Sequence, residues 1–293
     1  MSKRFEYELN DNDFLDDYLE ALITRQFREE RYRDRVIDFI DIAIQTSEPN
    51  SYQRSNALRR MANYLKDTET PFEEVETFCR EHWDDFKMRE WLARQFIQRE
   101  EWQKAIVIYE DLIDSNLGDP GLVTGYREEL LRLYRKTGNA EKTLETLWDL
   151  VCKSNNHKYY NELKSQYTED DWIQEREKVF PCFNNYGQAQ LLCEEKLYDR
   201  LWELLKDKDL YSVLDYEDVL LPKYSAEILR KYSDYLNHAA VQASGRKAYQ
   251  EWARLLKRMR KIEGGRELAK QITADWRIRY KNRSAMMDEL KGL

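Results

Sequence analysis

Cys79 and His82 stand three residues apart in the run Cys79-Arg80-Glu81-His82, so a helix would carry a thiol and an imidazole on one face. A structural zinc site needs four such ligands. The remaining candidates, Cys152, His157, Cys182, Cys193 and His238, lack the paired spacing that zinc sites use. Cys79 is therefore expected as a buried helix residue and His82 near a helix end, with no metal or cofactor bound. Acidic pairs occur at Asp16-Asp17, Asp84-Asp85, Asp170-Asp171 and Glu194-Glu195. Neighbours on a helix point about 100° apart, so such a pair is a solvated face rather than an acid–base dyad. Asp11-Asn12-Asp13 begins like a calcium loop, but the required Gly and closing Glu do not follow. A phosphate-cradling glycine loop and a nucleophile elbow are both missing, and the three histidines have no evident Ser or Cys partner. These residues point away from an enzyme.

Charge gives the more informative pattern. Residues 245–293 hold 14 Lys+Arg against 6 Asp+Glu, while the rest of the chain holds 34 against 50. The candidate interaction surface is Arg254, Lys257, Arg258, Arg260, Lys261, Arg277, Arg279 and Lys281, with Tyr249, Trp252, Trp276 and Tyr280 interleaved. Such a set could bind nucleic acid through phosphates and stacked bases, dock on an acidic protein, or face the acidic part of its own chain. The spacing of Tyr249, Trp252 and Leu256 places the aromatics in a core and leaves the bases on a solvated face. The overall charge of -8 weakens long-range attraction for DNA.

The elements that carry these residues are helices. Nine Gly and five Pro are too few for the tight turns of a sheet protein of 293 residues, and no Gly precedes Gly118. Apolar residues recur at helical spacing, as in Phe14, Leu15, Tyr18, Leu19 and Leu22 and again in Val36, Ile37, Ile40 and Ile44. Thr70 to Glu73 reads as a capping box with Pro71 in the first turn, and Thr168 to Asp171 as a second helix start. Asp119-Pro120-Gly121 and Thr137-Gly138-Asn139 read as breaks. Helices are expected over 101–114, 139–151, 197–206 and 246–259, each after a shorter helix such as 91–97 or 130–134. A bulky residue, then a small one, then large apolar ones resembles the tetratricopeptide-type hairpin, but the intervals are uneven. The expected fold is all-α, an irregular α-solenoid of stacked antiparallel helix pairs. It would have an N-terminal array over 1–117 and a continuous C-terminal array over 118–293, basic from about 245. Four scattered cysteines, no apolar leader and no membrane-length apolar run are consistent with reduced thiols, a cytoplasmic location and no membrane.

The C-terminal end carries a resemblance. Tyr235 to Ala243 (YLNHAAVQA), the helix through Ile262, Gly264-Gly265, and Asp275 to Leu290 (DWRIRYKNRSAMMDEL) together resemble the C-terminal helical region of bacterial SWIM zinc-finger proteins. Ser284 stands where that family usually has Pro, and the family's C-x-C and C-x-H zinc motif is not in this chain. The resemblance therefore implies the helical companion region, without the finger, and an association with helicase-like ATPases of the Swi/Snf type. The expected function is a non-catalytic scaffold whose groove holds a helix or peptide of a protein partner. Direct nucleic-acid binding through the basic C-terminal helices is the alternative.

Overall fold

The computed structural model describes residues 29–49, 51–242 and 245–293. The stripe expected from Phe14 to Leu22 and the acidic runs Asp11-Asn12-Asp13 and Asp16-Asp17 lie outside the described residues. Sixteen α-helices and no strand are found among the described residues, so the all-α class holds. Among them, no helix is long and apolar enough to cross a membrane. The chain divides into two compact units, Met1–Thr168 and Glu169–Leu293.

In the first unit the helices are α1 (Arg33–Thr46), α2 (Tyr52–Asp67), α3 (Phe72–Glu81), α4 (Phe86–Gln98), α5 (Trp102–Ser115), α6 (Pro120–Lys136), α7 (Ala140–Trp148) and α8 (Tyr160–Lys164). Each packs mainly against its neighbours in the chain, α1 on α2, α4 on α5, α5 on α6 and α6 on α7. The expected boundary at 117/118 falls between α5 and α6, which pack together inside this unit. α6 is also longer than α7, not shorter, and α7 runs on into a π-helical turn over Asp149–Lys153. Leu58, Leu92, Phe96, Leu112 and Leu133 are fully buried in the common core. Side-chain hydrogen bonds join helices one or two apart in the chain across it. Asp85 caps α4 by accepting from the Lys87 and Met88 amides at 2.8 and 3.2 Å, and also accepts the Ser55 hydroxyl of α2. Arg89, buried on α4, donates to Asp111 and Ser115 of α5, both at 2.8 Å.

The turns explain how a chain with so few glycines changes direction. Four helices end in the same way, with an amide three residues beyond the helix reaching back five positions: Thr70 to Leu65, Glu101 to Phe96, Asn139 to Tyr134 and Leu197 to Leu192. The residue before each donor, Glu69, Glu100, Gly138 and Lys196, is left-handed. Only one of the four is glycine, so the other three carry a backbone cost of roughly 1–2 kcal/mol each. Thr70 is not a cap. α3 starts after Pro71 without a side-chain cap, and the Thr70 hydroxyl accepts from Arg33 of α1 at 3.0 Å. The other expected signals hold. Asp119 accepts from the Gly121 and Leu122 amides, Asn139 accepts from Lys142, and a helix opens at Glu169 directly after Thr168.

The second unit holds α9 (Glu169–Val179), α10 (Asn185–Glu194), α11 (Tyr198–Leu205), α12 (Leu210–Leu214), α13 (Glu217–Gln242), α14 (Arg246–Met259), α15 (Gly265–Arg279) and α16 (Ser284–Glu289). The long α13 is the hub, packing on α11, α12, α14 and α15. Pro222 cannot donate a helical hydrogen bond, and α13 kinks at Tyr224 (φ -118°, ψ 23°). Tyr232, Leu236, Leu256 and Trp276 form the centre of its core.

The thiols correct one expectation. Cys79 and Cys193 are free, but Cys152 and Cys182 are disulfide-bonded. Bond formation depends on how sulfurs approach in three dimensions, which spacing along the chain does not show.

Burial also fixes how the first unit responds to alkali. It pushes the Cys79 thiol from its ordinary 9 up to about 12, and the Tyr109 and Tyr126 phenols from 10 up to about 12. Between those values the unfolded chain sheds protons that the folded chain keeps. Stability is therefore full below pH 9 and falls as pH rises toward 12. Thermal melts should show a constant midpoint up to about pH 9 and a progressive drop above it. A midpoint unchanged at pH 11 would contradict this.

Candidate interaction surface

The basic residues singled out by sequence lie in the second unit, and α14 is the element that organises them. Tyr249, Trp252, Ala253, Leu256 and Met259 are buried along one side of this helix. Trp252 meets Trp276 of α15 edge-on at 5.6 Å and Tyr249 at 5.4 Å. The interleaved aromatics are thus core, as their spacing implied, and only the half-buried Tyr280 retains partial exposure. On the opposite side Arg254, Lys257 and Arg258 fall at the i, i+3 and i+4 positions of a single stripe, and Lys261 follows in the turn beyond Met259. Gly264 and Gly265 end this element. A Cβ on Gly265 would stand 2.0 Å from the Met259 carbonyl oxygen, so only glycine lets α15 begin so close to the end of α14.

The stripe forms one wall of an open groove of about 490 Å³. The facing wall is the first turn of α13, with Glu217, Asp218 and Leu221, and Ile262 closes one end. Glu217 is only 4% exposed and would be costly to bury alone. It accepts the Tyr232 hydroxyl at 2.6 Å and pairs with Arg258 Nε at 2.9 Å. Arg258 also donates to the Leu214 carbonyl at 3.1 Å. Burial, and then the Glu217 carboxylate, push the Tyr232 phenol far above its ordinary value, so it stays a donor. Arg258 is therefore a structural cation that fastens α14 to α13.

Its neighbours are different. Arg254, Lys257 and Lys261 are exposed and form no ion pair among the described residues. Some exposed bases of the unit are matched, as in Lys223–Asp199 at 2.6 Å, Lys270–Glu267 at 2.7 Å and Lys291–Asp288 at 2.6 Å; what sets Arg254, Lys257 and Lys261 apart is that they line one groove together. Glu251 is the one acid within α14, and it accepts the Tyr211 hydroxyl. The α14 side of the groove thus carries three bases outside any ion pair, opposite Asp218 and beside the apolar Leu221 and Ile262. No aromatic ring lines it.

The other four candidates lie elsewhere. Arg260 is half-buried at the end of α14. Arg277 donates to the Leu290 carbonyl at 2.9 Å. Arg279 pairs with Asp275 at 2.7 Å and lines a separate groove of about 440 Å³ between α13 and α15, with Asn237, Gln271 and Tyr280. Lys281 is exposed in the turn before α16. Sequence reasoning did not single out Glu217, Asp218, Leu221 or Ile262, because the first three reach the stripe only through tertiary packing across about forty residues. The acidic pair opening α13 was the signal available.

In the first unit, a groove of about 360 Å³ between α5, α6 and α7 gathers Glu110, Asp114, Glu145 and Asp149. Three of these carboxylates are already engaged, by Tyr134 at 2.6 Å, Lys142 at 2.7 Å and Arg127 at 3.5 Å. Cys79 is buried in α3, and His82 caps its end with an edge-on contact to Phe78. Among the described residues, no cluster of three or more His, Cys, Asp or Glu is placed to hold a metal ion. Compared with known proteins, the chain matches no protein-family model and no curated protein.

Two variants separate the structural cation from the free ones. Arg258→Met leaves the buried Glu217 with only Tyr232 and should cost about 1–3 kcal/mol in urea unfolding. Lys257→Gln with Lys261→Gln should change stability by no more than about 0.5 kcal/mol. Equal losses in both would contradict the division.

Proposed function

We propose that the chain is a non-catalytic, protein-binding scaffold and that the α13/α14 groove is where it takes its partner. The observation that carries this reading is that three exposed bases without an ion pair, Arg254, Lys257 and Lys261, line one groove beside apolar Leu221 and Ile262. A side-by-side arrangement of free charge and apolar surface suits a polypeptide better than a substrate. Packing between chain neighbours and the repeated left-handed turn support an irregular α-solenoid of antiparallel, tetratricopeptide-like pairs. On the resemblance to the helical region of SWIM zinc-finger proteins, the scaffold would serve a nucleic-acid-linked bacterial complex.

Direct nucleic-acid binding is the second reading, favoured by the same three free bases. Against it stand the burial of Tyr249, Trp252 and Trp276, which removes them as stacking platforms, and the carboxylates of the facing wall. Titration of the intact chain with single- and double-stranded DNA and RNA over a range of salt decides between them. The scaffold reading expects no binding that depends on Lys257 and Lys261. Salt-sensitive binding that drops at least tenfold in the doubly neutralised variant would replace it with the nucleic-acid reading.

A further inference from the structure

We infer that the partner presents an acidic amphipathic helix, laid along α14 with its carboxylates on Arg254, Lys257 and Lys261 and its apolar ridge on Leu221 and Ile262. This rests on the scaffold reading and specifies the chemistry of what that scaffold holds. Arg254 and Lys257 stand one turn apart at the end of α14, about 4.5 Å along its axis, and Lys261 follows in the turn beyond Met259. Carboxylates spaced one turn apart on a second helix lying alongside would meet the first two in register and reach the third at its end.

The facing wall narrows the choice further. Asp218 is exposed there beside the half-buried Leu221, with the nearly buried Ile262 at the end of the groove. A ligand negative on every side, such as a nucleic acid, would press phosphates toward Asp218 while leaving the apolar strip uncovered. An amphipathic helix avoids both penalties, because its acidic edge turns only toward α14 and its apolar ridge covers Leu221 and Ile262. A basic or neutral helix would leave the three bases without counter-charge. Arg258 is excluded from recognition, since Glu217 and the Leu214 carbonyl already hold it.

The test is fluorescence anisotropy with the full chain and four probes. One is a helical peptide with Glu at every fourth position beside a Leu ridge. The others are the same composition in scrambled order, the same peptide with Glu changed to Lys, and an oligonucleotide given as single and double strand. The inference expects the first peptide to bind with a dissociation constant of order 10 μM. Scrambling or Glu-to-Lys inversion should abolish that binding. Lys257→Gln with Lys261→Gln should weaken it at least fivefold, with an unchanged melt showing that the variant is folded. Equal binding of the scrambled peptide would overturn the inference, because charge alone would then suffice. Binding of the oligonucleotide but not the peptide, lost in the same variant, would overturn both the inference and the scaffold reading. If only the inverted peptide binds, the acidic partner fails while the scaffold reading survives. If nothing binds, the acidic partner likewise fails, and the salt titration alone then bears on the scaffold.

Discussion

The second unit is organised around one buried charge. Glu217 opens the long α13 in a place almost closed to solvent, where a lone carboxylate would be strongly destabilising. Two partners from different parts of the chain satisfy it, the Tyr232 hydroxyl four turns along the same kinked helix and the Arg258 guanidinium of α14. Because the carboxylate needs both, it fixes how α14 lies against α13. That orientation turns the aromatic side of α14 inward onto Trp276 and its basic side outward. The same stripe of side chains thus supplies one cation to the fold and leaves three others free.

The first unit solves the same problem with hydrogen-bonded pairs spread over several helix junctions. Asp85 caps its own helix and takes the Ser55 hydroxyl of the helix two before, while Arg89 reaches forward to Asp111 and Ser115. Each polar contact joins elements close in the chain, which matches packing that is itself mainly between chain neighbours. Such local wiring lets a chain with nine glycines build many turns, because each turn is held by the helices on either side rather than by an unstrained backbone. The left-handed Glu69, Glu100 and Lys196 are the visible cost.

Much of this was legible in the sequence for a clear physical reason. Helical periodicity depends on neighbours within a few residues, so the stripe of Val36, Ile40 and Ile44, the helix over 246–259 and the inward aromatics Tyr249 and Trp252 all emerged from spacing. The breaks read at 119–121 and 137–139 do fall at helix boundaries; local capping chemistry was a poorer guide. It failed at Thr70, whose hydroxyl serves Arg33 of a helix far back in the chain. The candidate surface was legible by half for the same reason. Charge composition located the basic helices, but it could not separate Arg258, claimed by a buried acid about forty residues earlier, from Lys257 beside it. Nor could it show that Arg277 and Arg279 are engaged elsewhere, or that Cys152 and Cys182 are not free thiols.

The central claim is that the free amines at the end of α14, Lys257 and the following Lys261, face carboxylates of another polypeptide. Zero-length carbodiimide cross-linking tests this most directly, because it joins an amine to a carboxylate only where the two already touch. Applied to the intact chain in extract of its source cells and read by mass spectrometry, it should link Lys257 and Lys261 to Asp or Glu residues of a second protein. Those links should vanish when both lysines are changed to glutamine. Lysines that stay unlinked while the chain co-sediments with nucleic acid, and is released by nuclease, would contradict the account.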